Sequence, residues 1–139
     1  MRTSKIFVTV DIVILKESKP DQTILLIKRK NSPFQDFWAL PGGFVDENED
    51  LEAAAIRELE EETQIKAKYL EQIKAFGKPF RDPRSHVISI AFIGFVSENT
   101  ITNAADDAKE VGWFPINNLP DLAFDHLEII NFTLNKKSK

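Results

Sequence analysis

The 139-residue sequence contains no cysteine. That absence excludes a disulfide framework, a thiolate nucleophile and a cysteine-ligated zinc site. Long apolar runs are also lacking. The most apolar N-terminal stretch, Ile6 to Leu15, is broken by Thr9 and Asp11 and is too short to span a bilayer, so it reads as a strand. Neither a secretory pattern nor a membrane association is expected, and the expected location is cytoplasmic. Positive charge is in deficit. Against 22 acidic residues stand 18 lysines and arginines, a formal net charge of -4, which argues against a broad nucleic-acid-binding surface. A phosphorylated ligand can still be held through divalent cations or a few local arginines. There is no internal repeat and no low-complexity linker.

What remains is ordinary globular material, with 42% hydrophobic and 29% charged residues, and the length predicts a single domain over residues 1–139. Phe7 to Leu15 and Thr23 to Lys28 read as two strands of a hairpin joined through Ser18, Lys19, Pro20 and Asp21. A short strand is expected around Trp38 to Leu40, and Pro41, Gly42 and Gly43 suggest a tight turn. Asp50 to Thr63 is the clearest helix, with Asp50 as N-cap and Leu51, Ala55 and Leu59 four apart on the face that meets the core. Tyr69 to Phe76 reads as a strand ended by Gly77 and Pro79. Val87 to Val96 is the best candidate for a buried central strand. A polar loop over Asn99 to Asp107, a short strand over Val111 to Phe114 and a terminal helix over Asp125 to Leu134 complete the chain. The mixture predicts an α/β protein with a layered α/β/α arrangement.

The chemistry concentrates on the mid-chain helix. Glu61 and Glu62 follow Glu58 by three and four residues, so the three carboxylates share one helix edge, while Glu60 turns away as a solvated residue. Like charges at that spacing cost about 0.2 to 0.5 kcal/mol per pair. A divalent cation removes the penalty, and magnesium prefers oxygen ligands that it shares with substrate phosphates. The Gly43 carbonyl can add a further ligand, because glycine lets backbone come close. Arg57 flanks the edge, within reach of Glu49, and such a pair would orient the preceding loop against the helix.

The spacing from Gly43 through Glu49 and Arg57-Glu58-Leu59 to Glu61-Glu62 and Ile65 has a chance probability on the order of 10⁻⁵ in a chain of this length, which sets aside a merely solvated helix. It resembles the Nudix box. That resemblance implies a mixed β-sheet between helices, the Nudix-type α/β/α sandwich. It also implies Mg²⁺, with Mn²⁺ possible, on the helix glutamates, and a loop organised by Arg57 and Glu58. The site residues it implies are Glu49, Arg57, Glu58 and Glu61 for catalysis, and Gly43, Glu58, Glu61 and Glu62 for the metal. One position departs: the closing glycine of the box is Gln64 here. A non-glycine in the left-handed conformation that often ends a helix costs about 1 to 2 kcal/mol, unless the helix end is rearranged.

The outer segments Trp38 to Gly43, Phe80-Arg81-Asp82-Pro83-Arg84, Trp113-Phe114-Pro115 and Leu122 to His126 are similar to the ADP-ribose pyrophosphatase branch and to its sensor relatives. The implied reaction is hydrolysis of the diphosphate bond of a nucleoside diphosphate derivative, ADP-ribose going to AMP and ribose 5-phosphate. Two alternatives stand beside it: a module that senses ADP-ribose without cleaving it, and a housecleaning hydrolase of modified nucleoside triphosphates. The intact glutamates, and the lack of residues for a DNA-binding domain after the terminal helix, count against the sensor. Arg81 and Arg84 suit a phosphate or ribose, or else a loop-ordering pair with Asp82. Phe34, Phe80 and Trp38 carry rings able to stack on a base, although such residues more often pack in a core. His86 and His126 read as packing or capping residues. The general base is open among Glu58, Glu61, Glu62, Asp106, Asp107 and Glu110. The expected partner is a small-molecule nucleotide. Relatives in the family are often dimers, and nothing in the sequence marks a dimer surface.

Overall fold

The computed structural model describes residues 3–17, 21–104 and 108–137. These form strands β1 (Ile6–Lys16), β2 (Thr23–Arg29), β3 (Trp38–Ala39) and β4 (Gly42–Phe44), helix α1 (Leu51–Thr63), strands β5 (Glu71–Phe76), β6 (His86–Val96) and β7 (Ala108–Pro115), and helix α2 (His126–Lys137). Strands β1 and β6, both rich in β-branched residues, lie side by side in the middle of one mixed sheet. They run parallel from Ile6↔His86 to Lys16↔Val96, and β5 flanks β6 antiparallel. Parallel neighbours buried on both faces explain the continuous apolar run in each.

Alternation along β1 separates two cores. Val10, Ile12 and Ile14 face α1, whose Ala54, Ala55 and Leu59 pack on them as the four-residue spacing predicts. Val13 and Leu15 face α2 and its Ile129 and Ile130. The result is an α/β/α sandwich, as expected from the sequence.

The other edge of β1 makes the site. There β1 pairs with β2 only at Leu15↔Ile24, and β2 then diverges. The anticipated hairpin is therefore open beyond its closed end. Strand β4 takes the vacated edge of β1, from Thr9↔Phe44 to Asp11↔Gly42, while β3 pairs with β2 at Ile27↔Ala39 and Lys28↔Trp38. On its far side β2 pairs with β7, which is longer than the sequence suggested.

Two further expectations need correction. The segment at Gly42 and Gly43 is a strand rather than a tight turn. Neither glycine has positive φ; what they provide is closeness. A Cβ on Gly42 would stand 2.1 Å from the Val10 carbonyl oxygen. Asp50 occupies the N-cap position of α1, but its side chain makes no capping hydrogen bond. Among the described residues no helix is long and apolar enough to cross a membrane.

The closing position of α1 is settled. Gln64 adopts the left-handed conformation at φ 65° and caps the helix by donating its backbone N–H to the Glu60 carbonyl. The helix end keeps its shape and the non-glycine side chain is strained. Gln64→Gly should therefore raise stability by about 1 kcal/mol, or roughly 3 °C in Tm, a shift readable by differential scanning calorimetry, with turnover little changed.

Candidate active site

Where β1 and β2 part, the sheet opens into a cavity of about 420 Å³. Glu58, Glu61 and Glu62 of α1 form one wall, and Gly42, Gly43 and Phe44 of β4 form its rim. Thr9 and Asp11 of β1, Ile27 and Arg29 of β2, Arg81, Asp82, Arg84, Phe124 and His126 also line it.

Arg57 ties the acidic wall together. Its Nε and one terminal nitrogen donate to the two carboxylate oxygens of Glu49 at 2.7 and 2.8 Å. The other terminal nitrogen donates to Glu58 at 2.8 Å and to Glu61 at 3.1 Å, while the one bonded to Glu49 also donates to the Phe44 carbonyl at 3.1 Å. This bidentate pair fixes the loop before α1 against the helix. The Arg57 guanidinium, together with the Asp46 N–H, holds the Glu49 carboxyl down at about 2, against an ordinary 4.5. A depressed folded-state pKa means stability that is present above the unfolded value and lost as pH falls through the folded one. Acid unfolding should thus show a Glu49-dependent loss between pH 4.5 and about 2, absent from Glu49→Gln when both are followed by circular dichroism.

Glu58 behaves oppositely. Burial pushes its carboxyl up, and Arg57 only partly opposes the shift. Its carboxylate abuts the Gly43 backbone so closely that a Cβ there would stand 2.4 Å from a Glu58 oxygen. Glu62 is buried, and its Oε1 accepts the Gly42 N–H at 2.7 Å. The two glycines should therefore respond differently to alanine. Gly42→Ala meets backbone and should cost at least about 2 kcal/mol. Gly43→Ala meets a movable side chain and should lower activity well before it lowers Tm. Thermal melts and turnover measured together separate the two.

The second wall is built by strand β3 and the segment that leads into α2. The Ala123 N–H donates to the Trp38 carbonyl at 2.8 Å, and the Leu40 N–H donates to His126 Nδ1 at 3.0 Å. Phe124, at φ 53°, is thereby held at the cavity between the guanidiniums of Arg29 and Arg84, 4.9 and 5.4 Å from its ring. Arg84 lies in turn 5.0 Å from the Phe44 ring. The side chain of Arg81 is only 4% exposed and grips Asp125 with two donors, while Arg84 grips Asp82 in the same way. Both arginines reach the cavity, yet each is held by a carboxylate: the loop-ordering pair with Asp82 forms for Arg84 and not for Arg81, which pairs with Asp125. Burial disfavours charge on Asp82, but Arg84 outweighs it and the carboxyl stays below its ordinary range.

The aromatic candidates are corrected. Trp38 packs edge-on against Phe114 in the α2-side core, and Phe80 is 94% exposed; neither lines the cavity. Phe34 packs beside Phe124 without lining the cavity. Phe124 and Phe44 are the rings that reach it. Of the general-base candidates, Asp106 and Asp107 lie outside the described residues. Glu110 sits on β7 beside Lys28, away from the lining. His86 meets the Gly77 carbonyl oxygen at 3.0 Å at the start of β6. His126, read as a packing or capping residue, is indeed buried at the start of α2, and it also lines the cavity and faces Asp11. The available signal was Asp11 itself, an acid set inside a β-branched run.

A family model described as NUDIX domain matches residues 5–132. The chain is 51% identical over 123 residues to the ADP-ribose pyrophosphatase of Methanocaldococcus jannaschii, a match covering 88% of this chain and 70% of that protein. It is 34% identical over 138 residues to the ADPR responsive transcriptional repressor NtrR of Acinetobacter baylyi, covering 94% of this chain and 55% of that one, so it spans about half of the repressor's length. Among solved structures, the NUDIX domain of Shewanella oneidensis NrtR complexed with ADP ribose aligns with a TM-score of 0.87 at 29% identity, covering 96% of this chain and 90% of that one.

Proposed function

The chain belongs to the Nudix family, and on that premise we propose that it hydrolyses the diphosphate bond of ADP-ribose, giving AMP and ribose 5-phosphate. The observation that carries this reading is the wall formed by Glu58, Glu61 and Glu62, complete and facing a cavity that also offers arginines and aromatic rings. A sensor has no need of three buried or half-buried carboxylates opposite an anionic ligand.

Hard oxygen donors of this kind suit a divalent cation, Mg²⁺ or Mn²⁺. Among the described residues no three acidic or imidazole groups converge on one point, since Glu58 and Glu61 lean on Arg57 and Glu62 on the Gly42 N–H. The donor set nevertheless fits by its chemistry: three carboxylates of one helix line the same cavity as Gly43, whose backbone lies directly against Glu58. Glu58, Glu61, Glu62 and the Gly43 carbonyl would hold the metal. When bound, it would polarise a phosphoryl oxygen and lower the pKa of a water.

The protein's own part is positional. Arg57 and Glu49 hold the loop so that Gly43 stays against Glu58. Arg84, kept in place by Asp82, offers a guanidinium face between Phe44 and Phe124 at the mouth. Of the general-base candidates, Glu58, Glu61 and Glu62 line the cavity, where one of them would take a proton from the attacking water.

The deciding experiment is a panel of ADP-ribose, other nucleoside diphosphate sugars and modified nucleoside triphosphates with Mg²⁺ or Mn²⁺, read by product chromatography. AMP and ribose 5-phosphate from ADP-ribose are expected. Tight binding of ADP-ribose without cleavage would replace the hydrolase with a sensor, and preferential cleavage of triphosphates would replace the substrate.

A further inference from the structure

Asp11 has no part in the scheme above, yet it is an acid in the middle of the central strand, on the face it shares with Val13 and Leu15. It is 6% exposed, and burial pushes its carboxyl up, with His126 and Ser89 pulling back. An apolar residue would serve that position better for stability alone. Its neighbours hold the carboxylate without neutralising it. Ser89 donates its hydroxyl to Oδ2. His126 accepts the Leu40 N–H at Nδ1, which leaves the ring proton on Nε2, 3.5 Å from Oδ1. The nearby guanidinium of Arg81 is spent on Asp125. A carboxylate offers about four acceptor positions, and these neighbours fill two at most.

Asp11 is one of the residues that line the cavity. Gly42 lies between Asp11 and the acidic wall: its N–H binds Glu62, and a Cβ on it would stand 2.6 Å from Asp11 Oδ1. A buried negative charge there repels phosphate, so it must meet an uncharged part of the ligand that brings hydrogen-bond donors. A sugar diol is that part of a nucleoside diphosphate sugar, and a carboxylate accepts from two adjacent hydroxyls at once. We propose that Asp11, set in place by Ser89 and His126, is the receptor for a vicinal diol of the substrate's sugar, and so a determinant of specificity. This rests on the reading of the cavity as a nucleotide-sugar site.

The test compares ADP-ribose with two analogues, one lacking the 2-hydroxyl on the adenosine ribose and one lacking it on the terminal ribose. Both Kd and kcat/KM are measured on wild type, Asp11→Asn and Ser89→Ala. Wild type should prefer the parent over one analogue by about 10- to 100-fold, the weight of a buried hydrogen bond to a charged group. Asp11→Asn should shrink that preference to within about threefold, by double-mutant logic, and Ser89→Ala should reduce it in part. Mn²⁺ affinity should be unchanged in both variants. Equal treatment of both analogues by wild type overturns the proposal. So does a preference that survives in Asp11→Asn, and so does a tenfold loss of Mn²⁺ affinity in that variant, which would make Asp11 a metal ligand. If Asp11→Asn does not fold, the wild-type preference and its loss in Ser89→Ala decide. Failure of wild type to bind or cleave ADP-ribose strikes the proposed substrate. The diol receptor is then read on AMP and ribose 5-phosphate against their 2-deoxy forms, and no preference there overturns it too.

Discussion

Glu61→Gln should turn over ADP-ribose between a hundred and ten thousand times more slowly than wild type while melting at nearly the same temperature. The two halves of that expectation have different sources. Glu61 is more than a third exposed and is one of four carboxylates sharing Arg57, which keeps its bidentate hold on Glu49 when Glu61 is neutralised. An exposed ion pair contributes about 0 to 1 kcal/mol, so folding barely changes. Turnover is another matter. An acidic side chain that fixes a cation against a diphosphate supplies several kcal/mol of transition-state stabilisation, and each 1.36 kcal/mol is about tenfold in rate. Steady-state turnover with Mn²⁺, beside a thermal melt, checks both. Near-normal turnover would remove the acidic wall from the mechanism.

Arg57→Lys should cost about 1.5 to 3 kcal/mol of stability and lower kcat/KM by about 10- to 100-fold, despite conserving charge. Arginine spreads its donors in a planar fork, and here that fork reaches Glu49 twice while also reaching Glu58, Glu61 and the Phe44 carbonyl. An ammonium is a compact charge on a flexible stem and cannot span those acceptors together. The loop before α1 should loosen and Gly43 drift from Glu58. A spectroscopic signature separates this from general damage: the Glu49 carboxyl, at about 2 in the wild type, should titrate nearer its ordinary 4.5 in the variant, as followed by carboxyl-carbon NMR. An unmoved Glu49 together with full activity would show that arginine's geometry is dispensable.

The sequence spoke most clearly where function depends on local spacing. Glu58, Glu61 and Glu62 must share an edge if the segment is helical, and Arg57 reaches back to Glu49 because both lie near the same helix end. The layered α/β/α arrangement followed from the mixture of strands with one mid-chain and one terminal helix. What stayed illegible depended on contacts between distant segments. Nothing local in Gly42-Gly43-Phe44 separates a turn from a strand; the difference is the approach of β1, thirty residues earlier. The Trp38 ring is able either to stack on a base or to pack in a core, and only the pairing of β3 with β2 and the partner ring Phe114 assign it to the core. Arg81 and Asp82 are neighbours in sequence, yet Arg81 pairs with Asp125, 44 residues away. His126 could be weighed only once Leu40 and Asp11 were seen to flank it.

Glu62 differs from its two companions in one respect that bears on the history of such proteins. Its carboxylate is a strut as well as a proposed metal ligand, because it joins the α1 helix to the backbone of β4 through the Gly42 N–H. A lineage drifting away from hydrolysis could shed Glu61 at little structural expense, whereas losing Glu62 would unfasten two pieces of the scaffold. Descendants that have given up cleavage should therefore be recognisable by an eroded outer edge and a retained inner acid.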